Sequence, residues 1–147
     1  MPTYFIHYSN LNLLNKEKKY IANKITRIHS KITGANKYFA QVIFKKNKTN
    51  DHFIGGKKIS GPEIFIFGNI RSGRSKKLKD KLILELRDNI KKYLNIKKDK
   101  IWAYILDLEP NQMIEFGEVL PSSGEEQKWF NKLSAQLKTR LIKIDKN

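Results

Sequence analysis

The second residue, Pro2, is a proline that directly follows the initial methionine. Removal of Met1 leaves the ring nitrogen of Pro2 as a free secondary amine, whose pKa starts near the α-amino value of about 8 and shifts with its surroundings. Such an amine is a general acid when protonated and a general base when neutral. We therefore expect Met1 to be removed in the active protein, although Pro2 alone is weak support for any activity.

Two arginines, Arg71 and Arg74, lie in the segment 69–75, just ahead of an apolar pattern with helical spacing. The positive end of a helix disfavours extra cations, so this position indicates an anionic partner. Guanidinium groups bind both oxygens of a carboxylate, and the free amides at a helix start add further donors. The pair is explained equally well by a carboxylate-binding site and by solvated surface arginines.

Three further residues are candidates for a site. His29 lies near a predicted helix end, Tyr104 lies on a strand that we expect to be largely buried, and Glu115 stands among apolar residues. A buried tyrosine directs its hydroxyl to a partner, and a carboxylate is a possible general base. Taken singly, each of these residues is explained by an ordinary structural role.

The composition limits the kinds of site that are possible. The absence of cysteine excludes disulfides and thiol nucleophiles, and the three histidines, His7, His29 and His52, are widely separated. We therefore expect neither a metal nor another cofactor. The first residues lack the pattern of a secretory signal, and no apolar run has the length of a membrane span. We expect a cytoplasmic protein without membrane contact.

The net charge of +16 is the strongest compositional signal, and by itself it indicates nucleic acid or another anionic surface. The lysines are scattered through every segment, which is typical of a solvated surface. A basic nucleic-acid-binding module is therefore an alternative that we rank below an enzyme. Salt-sensitive binding to DNA or RNA, without turnover of small acids, would reverse that order.

Residues 2–61 are predicted to form a first β-α-β unit. The segments 2–8 and 39–45 are apolar and β-prone, and the segment 53–56 predicts a short hairpin arm. Between the two strands, apolar residues recur at helical spacing, and Gly34 predicts the helix end. This apolar helix face comprises Leu14, Ile21, Ile25, Ile28 and Ile32.

Residues 62–120 repeat the same order. Strands are predicted at 64–67 and 102–106, and the helix between them carries Leu78, Leu82, Leu86, Ile90 and Tyr93 on one face. We predict an α/β (α+β) fold in which both units share one four-stranded sheet with two helices on one face. The other sheet face then needs a cover, which argues for oligomerisation.

Residues 121–147 are predicted to form a tail with one C-terminal helix, so that residues 1–147 make up a single domain. The packing stripe of this helix is Phe130, Leu133, Leu137 and Leu141.

Taken together, these segments resemble the cis-3-chloroacrylic acid dehalogenase branch of the tautomerase superfamily in order and spacing. The resemblance covers nearly the whole chain and rests on Pro2-Thr3-Tyr4, Arg27-Ile28-His29-Ser30, Ala40-Gln41-Val42, the Arg71/Arg74 segment, Ile101-Trp102-Ala103-Tyr104 and Gln112-Met113-Ile114-Glu115. It implies a tautomerase-type tandem β-α-β fold, a homotrimer and a cofactor-free enzyme.

The resemblance also implies a role for each candidate residue. These are a general acid (Pro2), carboxylate binders (His29, Arg71 and Arg74) and a water-activating pair (Tyr104 and Glu115). The implied reaction adds water to a 3-substituted acrylate, with loss of halide to give malonate semialdehyde.

Two features leave the reaction open. Phe116 stands where similar sequences often have tyrosine after the glutamate, which affects the support for Glu115. Keto–enol tautomerisation of a 2-hydroxy-alkenoic acid of the phenylenolpyruvate type is the alternative enzymatic reading. Hydration needs a protonated Pro2 and tautomerisation a neutral one; nearby arginines lower the pKa of this amine, whereas a nearby Glu115 raises it.

Overall fold

The structure is a computed structural model that describes residues 2–122 and 124–146, so the expected removal of Met1 concerns a residue outside the described range. The strands are β1 (Thr3–Ser9), β2 (Gln41–Lys46), β3 (Phe53–Ile54), β4 (Lys57–Lys58), β5 (Glu63–Arg71), β6 (Ile101–Leu108), β7 (Ile114–Glu115) and β8 (Glu118–Val119). The α-helices are α1 (Asn15–Thr33), α2 (Lys76–Leu94), α3 (Glu126–Lys132) and α4 (Ala135–Lys146).

Four strands form the central sheet in the order β2-β1-β5-β6. Strands β1 and β2 are parallel, as are β5 and β6, whereas β1 and β5 are antiparallel. Each parallel pair is joined through one long helix, α1 or α2, because parallel neighbours need a crossover connection. The predicted α+β fold with two β-α-β units in one four-stranded sheet is confirmed.

The main core lies between the sheet and the two long helices. Alternate strand residues such as Ile6 and Ile66 face the helices and are fully buried against Ile25 and Leu86. The left-handed backbone of Gly34, with φ of 74°, ends α1 as predicted. Leu14 does not join the predicted stripe, because it is the N-cap residue of α1 and is 52% exposed.

Much of the second sheet face is exposed in the part of the chain that the structure describes. The strand register aligns Ile43, Phe5, Phe67 and Tyr104 in one row across this face. Here Tyr104 is 50% exposed and Ile43 is 41% exposed. The expectation that Tyr104 is buried is therefore wrong for the single chain, because strand alternation turns Tyr104 away from the helices.

Two predicted boundaries also change. Phe39 belongs to a 3-10 turn, Lys37–Phe39, rather than to β2, because its ring packs 5.5 Å from the ring of Trp129 in α3. The single predicted C-terminal helix is two helices, α3 and α4. The extended backbone of Leu133 ends α3, and the Ser134 hydroxyl then accepts a hydrogen bond from Leu137 N at the start of α4.

The predicted arm at 53–56 is confirmed as the hairpin β3–β4, whose turn residues Gly55 and Gly56 both have positive φ. Within residues 2–122 and 124–146, no helix is long and apolar enough to cross a membrane. The same residues contain no group of three or more histidine, aspartate or glutamate side chains placed to hold a metal ion.

Candidate functional site

The two candidate arginines lie where β5 leads into α2. Arg71 is the last residue of β5, so the first part of the segment 69–75 is strand. Gly73, with φ of 92°, then turns the chain, and Arg74 precedes Ser75. The Ser75 hydroxyl caps α2 by accepting a hydrogen bond from Leu78 N at 3.3 Å. Both arginines thus lie in the segment that leads into the positive end of α2.

Arg71 is almost completely enclosed, with only 4% of its side chain exposed. Its Nη2 lies 2.5 Å from Glu126 Oε1, and its Nη1 donates to the Pro121 carbonyl at 3.4 Å. Its Nε is buried and has no hydrogen-bond partner among the residues described. The tail following β8 therefore covers this guanidinium and supplies its counter-charge.

Arg74 lies close enough to both Arg71 and His29 for its charge to interact with theirs. Burial, followed by the positive charge of Arg71, lowers the pKa of Arg74 below its ordinary value. Burial and then the charge of Arg74 lower the pKa of His29 to about 3. The His29 ring is therefore neutral at physiological pH, while both arginines remain charged. We call His29, Arg71 and Arg74 the cationic cradle.

A tyrosine of the first strand fixes the histidine ring. Tyr4 OH lies 2.7 Å from His29 Nδ1, and both side chains are buried. Gly68, opposite Tyr4 in the β1–β5 ladder, leaves space for the Tyr4 ring, since a Cβ there would lie 2.6 Å from that ring. When the hydroxyl donates to Nδ1, the proton of the neutral imidazole is on Nε2, where it can bind a ligand oxygen.

The two arginines of the cradle border a cavity of about 160 Å³. Its walls include Thr33 and Asn36 at the end of α1, the Phe39 ring, both arginines and Glu126. With a neutral His29, the two arginines and Glu126 leave one net positive charge. A cavity of this size and charge suits a single small anionic group.

Glu115 lines a second and larger cavity, of about 590 Å³. The walls include Thr3, Phe39, Gln41 and Leu108. Pro2 is buried next to this cavity, and its carbonyl accepts a hydrogen bond from Gln41 N at 2.9 Å. We call this space the Glu115 cavity; it lies at the strand ends where β1 begins.

The hairpin β7–β8 carries Glu115. Its turn consists of Phe116 and Gly117, which both have positive φ, at 55° and 88°. This backbone is uncommon for phenylalanine, so the Phe116 position is strained. The centre of the Phe116 ring lies 6.4 Å from the centre of the Phe39 ring, and this contact packs the hairpin turn against Phe39. Phe39 lines both the Glu115 cavity and the cavity of the cradle.

Tyr104 is not brought into either cavity. It lines a separate surface depression of about 410 Å³ together with Trp102, Phe65 and the β3–β4 hairpin. Of the six residues predicted from sequence, the structure thus groups His29, Arg71 and Arg74 and sets Glu115 and Pro2 at the neighbouring cavity. It leaves Tyr104 on the uncovered sheet face.

The family comparison agrees with this arrangement. Residues 1–133 match the family model described as putative oxalocrotonate tautomerase enzyme. The chain belongs to the tautomerase superfamily. No curated protein is detectably similar in sequence.

Several solved structures are similar to this chain over most of its length. A crystal structure of a member of the cis-3-chloroacrylic acid dehalogenase family matches with a TM-score of 0.91 and 26% identity, covering 96% of this chain and 99% of that chain. Native Ps01740 matches with a TM-score of 0.72 and 21% identity, over 77% of this chain and 99% of its own. A fused 4-OT described as a symmetric trimer has a TM-score of 0.72 at 15% identity, covering 80% of this chain and 94% of its own.

Sequence reasoning missed three residues that line the candidate site: Phe39, Gln41 and Glu126. Gln41 was recognised only as part of a strand motif. Phe39 was assigned to a strand because its apolar neighbours resemble one. Glu126 lies 55 positions from Arg71, and the only local signal for it is an acid in the first turn of a helix.

Proposed function

We propose that this tautomerase adds water to a cis-3-substituted acrylate, with halide loss when the substituent is a halogen. The observation that carries the proposal is that Arg71 and Arg74, with buried His29 next to Arg74, line a small cavity beside the larger one lined by Glu115. The similarity to a cis-3-chloroacrylic acid dehalogenase family member supports the same reaction.

The cradle supplies the binding of the substrate carboxylate. Arg74 and Arg71 offer guanidinium donors, and neutral His29 offers Nε2 as a third donor. Because the site is buried, these donors act with less screening by water. Drawing negative charge onto the carboxylate makes C3 of the conjugated double bond electron-poor.

The chemical step takes place at the Glu115 side. Glu115 removes a proton from water, whose oxygen forms a bond to C3, while protonated Pro2 delivers a proton to C2. With a 3-chloro substrate the product is a chlorohydrin. Loss of chloride and of the hydroxyl proton from that carbon leaves malonate semialdehyde. This role requires Pro2 to be a free amine, so Met1 must be absent from the working enzyme.

Keto–enol tautomerisation is the second candidate, and the match to the oxalocrotonate tautomerase family model favours it. In that reaction the cradle holds the carboxylate of an enol acid, and neutral Pro2 moves a proton between oxygen and carbon. Glu115 has no water to activate there. The two reactions therefore differ in their need for Glu115.

The uncovered sheet face bears on the role of Tyr104. Exposed Trp102, Tyr104 and Leu106 alternate on β6 and form an apolar surface on the edge strand. A homotrimer that buries this face is part of the proposal, and the trimeric fused 4-OT with the same fold supports it. Tyr104 then acts with Glu115 only across a subunit boundary, since the two line different cavities of one chain.

The decisive experiment compares turnover of cis-3-chloroacrylate and of phenylenolpyruvate by the purified protein. Chloride release with formation of malonate semialdehyde supports hydration. Turnover of phenylenolpyruvate alone would overturn it in favour of tautomerisation. Mass spectrometry after exposure to a 3-halopropiolate adds an independent readout, because hydration of this alkyne gives an acylating product; a single adduct on Pro2 identifies both the free amine and a hydrating site.

A further inference from the structure

The contact between Arg71 and Glu126 links an enclosed cation to a partly exposed carboxylate. The Arg71 side chain is 4% exposed and the Glu126 side chain is 38% exposed. The arginine is held in place by the strand that carries it and by the Pro121 carbonyl. Of the two partners, only the glutamate reaches water by rotation of its own side chain.

The Glu126 carboxylate occupies a position that a ligand carboxylate needs. One oxygen contacts Arg71, and the other accepts a hydrogen bond from Gly124 N at 2.9 Å. Glu126 also lines the cavity of the cationic cradle together with Arg74. With Nη1 on Pro121, Nη2 on Glu126 and only 4% of its side chain exposed, Arg71 has little free surface for a second anion. A ligand carboxylate that pairs with Nη2 therefore competes with Glu126.

The charge of Glu126 favours this contact at neutral pH. Partial burial is the largest single influence and raises the pKa of Glu126, but the hydrogen bond from Arg71, the backbone N–H donors of Glu126 and Gly124 and the charge of Arg71 together outweigh it, and the net shift is downward. The carboxylate is thus ionised, and it competes with any anion for the same guanidinium.

We propose that Glu126 is an internal, displaceable carboxylate that holds Arg71 in the empty cradle and sets its affinity and selectivity for substrate carboxylates. This inference rests on the proposed function, because it concerns the same cradle. Glu126 does not take part in the chemical step. It sets the net binding free energy of a substrate carboxylate that enters the cradle. Replacement of Glu126 by the ligand keeps the buried arginine paired in both states, so that no unpaired charge is buried.

The test measures binding of propionate, a carboxylate without a reactive double bond, and of uncharged propionamide by calorimetry. Glu126→Gln should bind propionate about 10-fold more tightly than the wild type, because its competitor has lost its charge. Propionamide affinity should not change. Glu125→Gln is the matched control, since Glu125 carries the same charge at the neighbouring position and pairs only loosely with surface Lys128, at 3.7 Å.

Glu126→Asp and Arg74→Ala separate the remaining outcomes. Aspartate keeps the charge but is one methylene shorter, so its contact with Arg71 and its competition with propionate should both be weaker. Glu126→Asp also provides the binding test if Glu126→Gln does not fold. Weaker propionate binding by both Glu126 variants would overturn the inference and make Glu126 a support for Arg71. Equal propionate affinity in wild type and Arg74→Ala, or no binding by any of the proteins, would instead overturn the cradle and with it the proposed function.

Discussion

The cationic cradle and the Glu115 cavity share the Phe39 ring as a wall, but they are built differently. The cradle is small and charged, and its side chains project from the end of α1 and from the β5–α2 junction. The Glu115 cavity is more than three times larger and is lined by a two-residue hairpin strand and the strand ends. Rigid elements thus hold the anion-binding groups, whereas a short hairpin carries the proposed base.

This difference predicts that binding and chemistry respond to separate substitutions. Changes in the cradle should alter carboxylate affinity for hydration and tautomerisation alike, because both reactions hold the same group. Changes at Glu115 should affect only the reaction that consumes water. The following experiments examine this separation.

The largest effect is expected from Glu115→Gln, which keeps the size of the side chain and removes its charge. Hydration of cis-3-chloroacrylate should fall by about 10²- to 10⁴-fold, because water loses its base. Turnover of phenylenolpyruvate should survive. Both rates are measured across a pH series for wild type and variant. Unchanged hydration, or loss of both activities in a folded variant, would end the proposed division between the two cavities.

Arg74→Ala should have the next largest effect. Loss of a charged donor from the cradle should lower kcat/KM by about 100-fold for both substrates, since the carboxylate is less well bound and oriented. Arg87→Ala is the control, because Arg87 lies on the surface of α2 and pairs with its neighbour Asp88. Steady-state kinetics on both substrates provide the measurement. A selective loss of hydration alone would show that Arg74 serves chemistry rather than shared binding.

The sequence predicted the parts of this site that depend on local pattern. The helical spacing of Ile21, Ile25, Ile28 and Ile32 places His29 beside the buried face of α1, and the repeat places the arginines before α2. These features follow from periodicity within one element.

What the sequence did not reveal depends on contacts between distant segments. The Arg71–Glu126 pair and the packing of Phe39 on Trp129 join the C-terminal tail to the rest of the site. Tyr104 was expected to be buried because β6 is apolar, but that strand has one face toward the helices and one toward solvent. Local pattern does not show which face a chain leaves uncovered.

The buried His29 ring makes the stability of the folded protein depend on pH. This dependence arises in the cradle and not in the Glu115 cavity. The pKa of His29 is about 3 in the folded protein against 6.5 for an unperturbed histidine, so between these values the unfolded chain binds a proton that the folded chain does not. Stability from the neutral ring is therefore fully present above pH 6.5 and is lost as the pH falls toward 3. This contribution should approach about 1.4 kcal/mol per pH unit within that window.

Urea unfolding of wild type and His29→Gln measures this contribution. The measurements run from about pH 7 to about pH 4, which covers most of the window in which the His29 contribution is lost. The variant should be less stable at pH 7, and the difference should shrink as the pH falls, because glutamine does not titrate. A constant difference between the two proteins at all pH values would show that His29 does not titrate with the lowered pKa.

The smallest effect, and the one that joins the two regions, is expected from Phe39→Leu. Leucine keeps an apolar side chain but removes the ring that borders both cavities and contacts Phe116 and Trp129. We expect a loss of stability of about 1 kcal/mol and changes of a few-fold in both KM and kcat, because the anion-binding wall and the hairpin support shift together. Phe130→Leu is the matched control, since Phe130 lies in the same aromatic cluster but lines neither cavity. A change in KM alone would show that Phe39 affects only carboxylate binding in the cradle. The position of Glu115 would then not depend on Phe39.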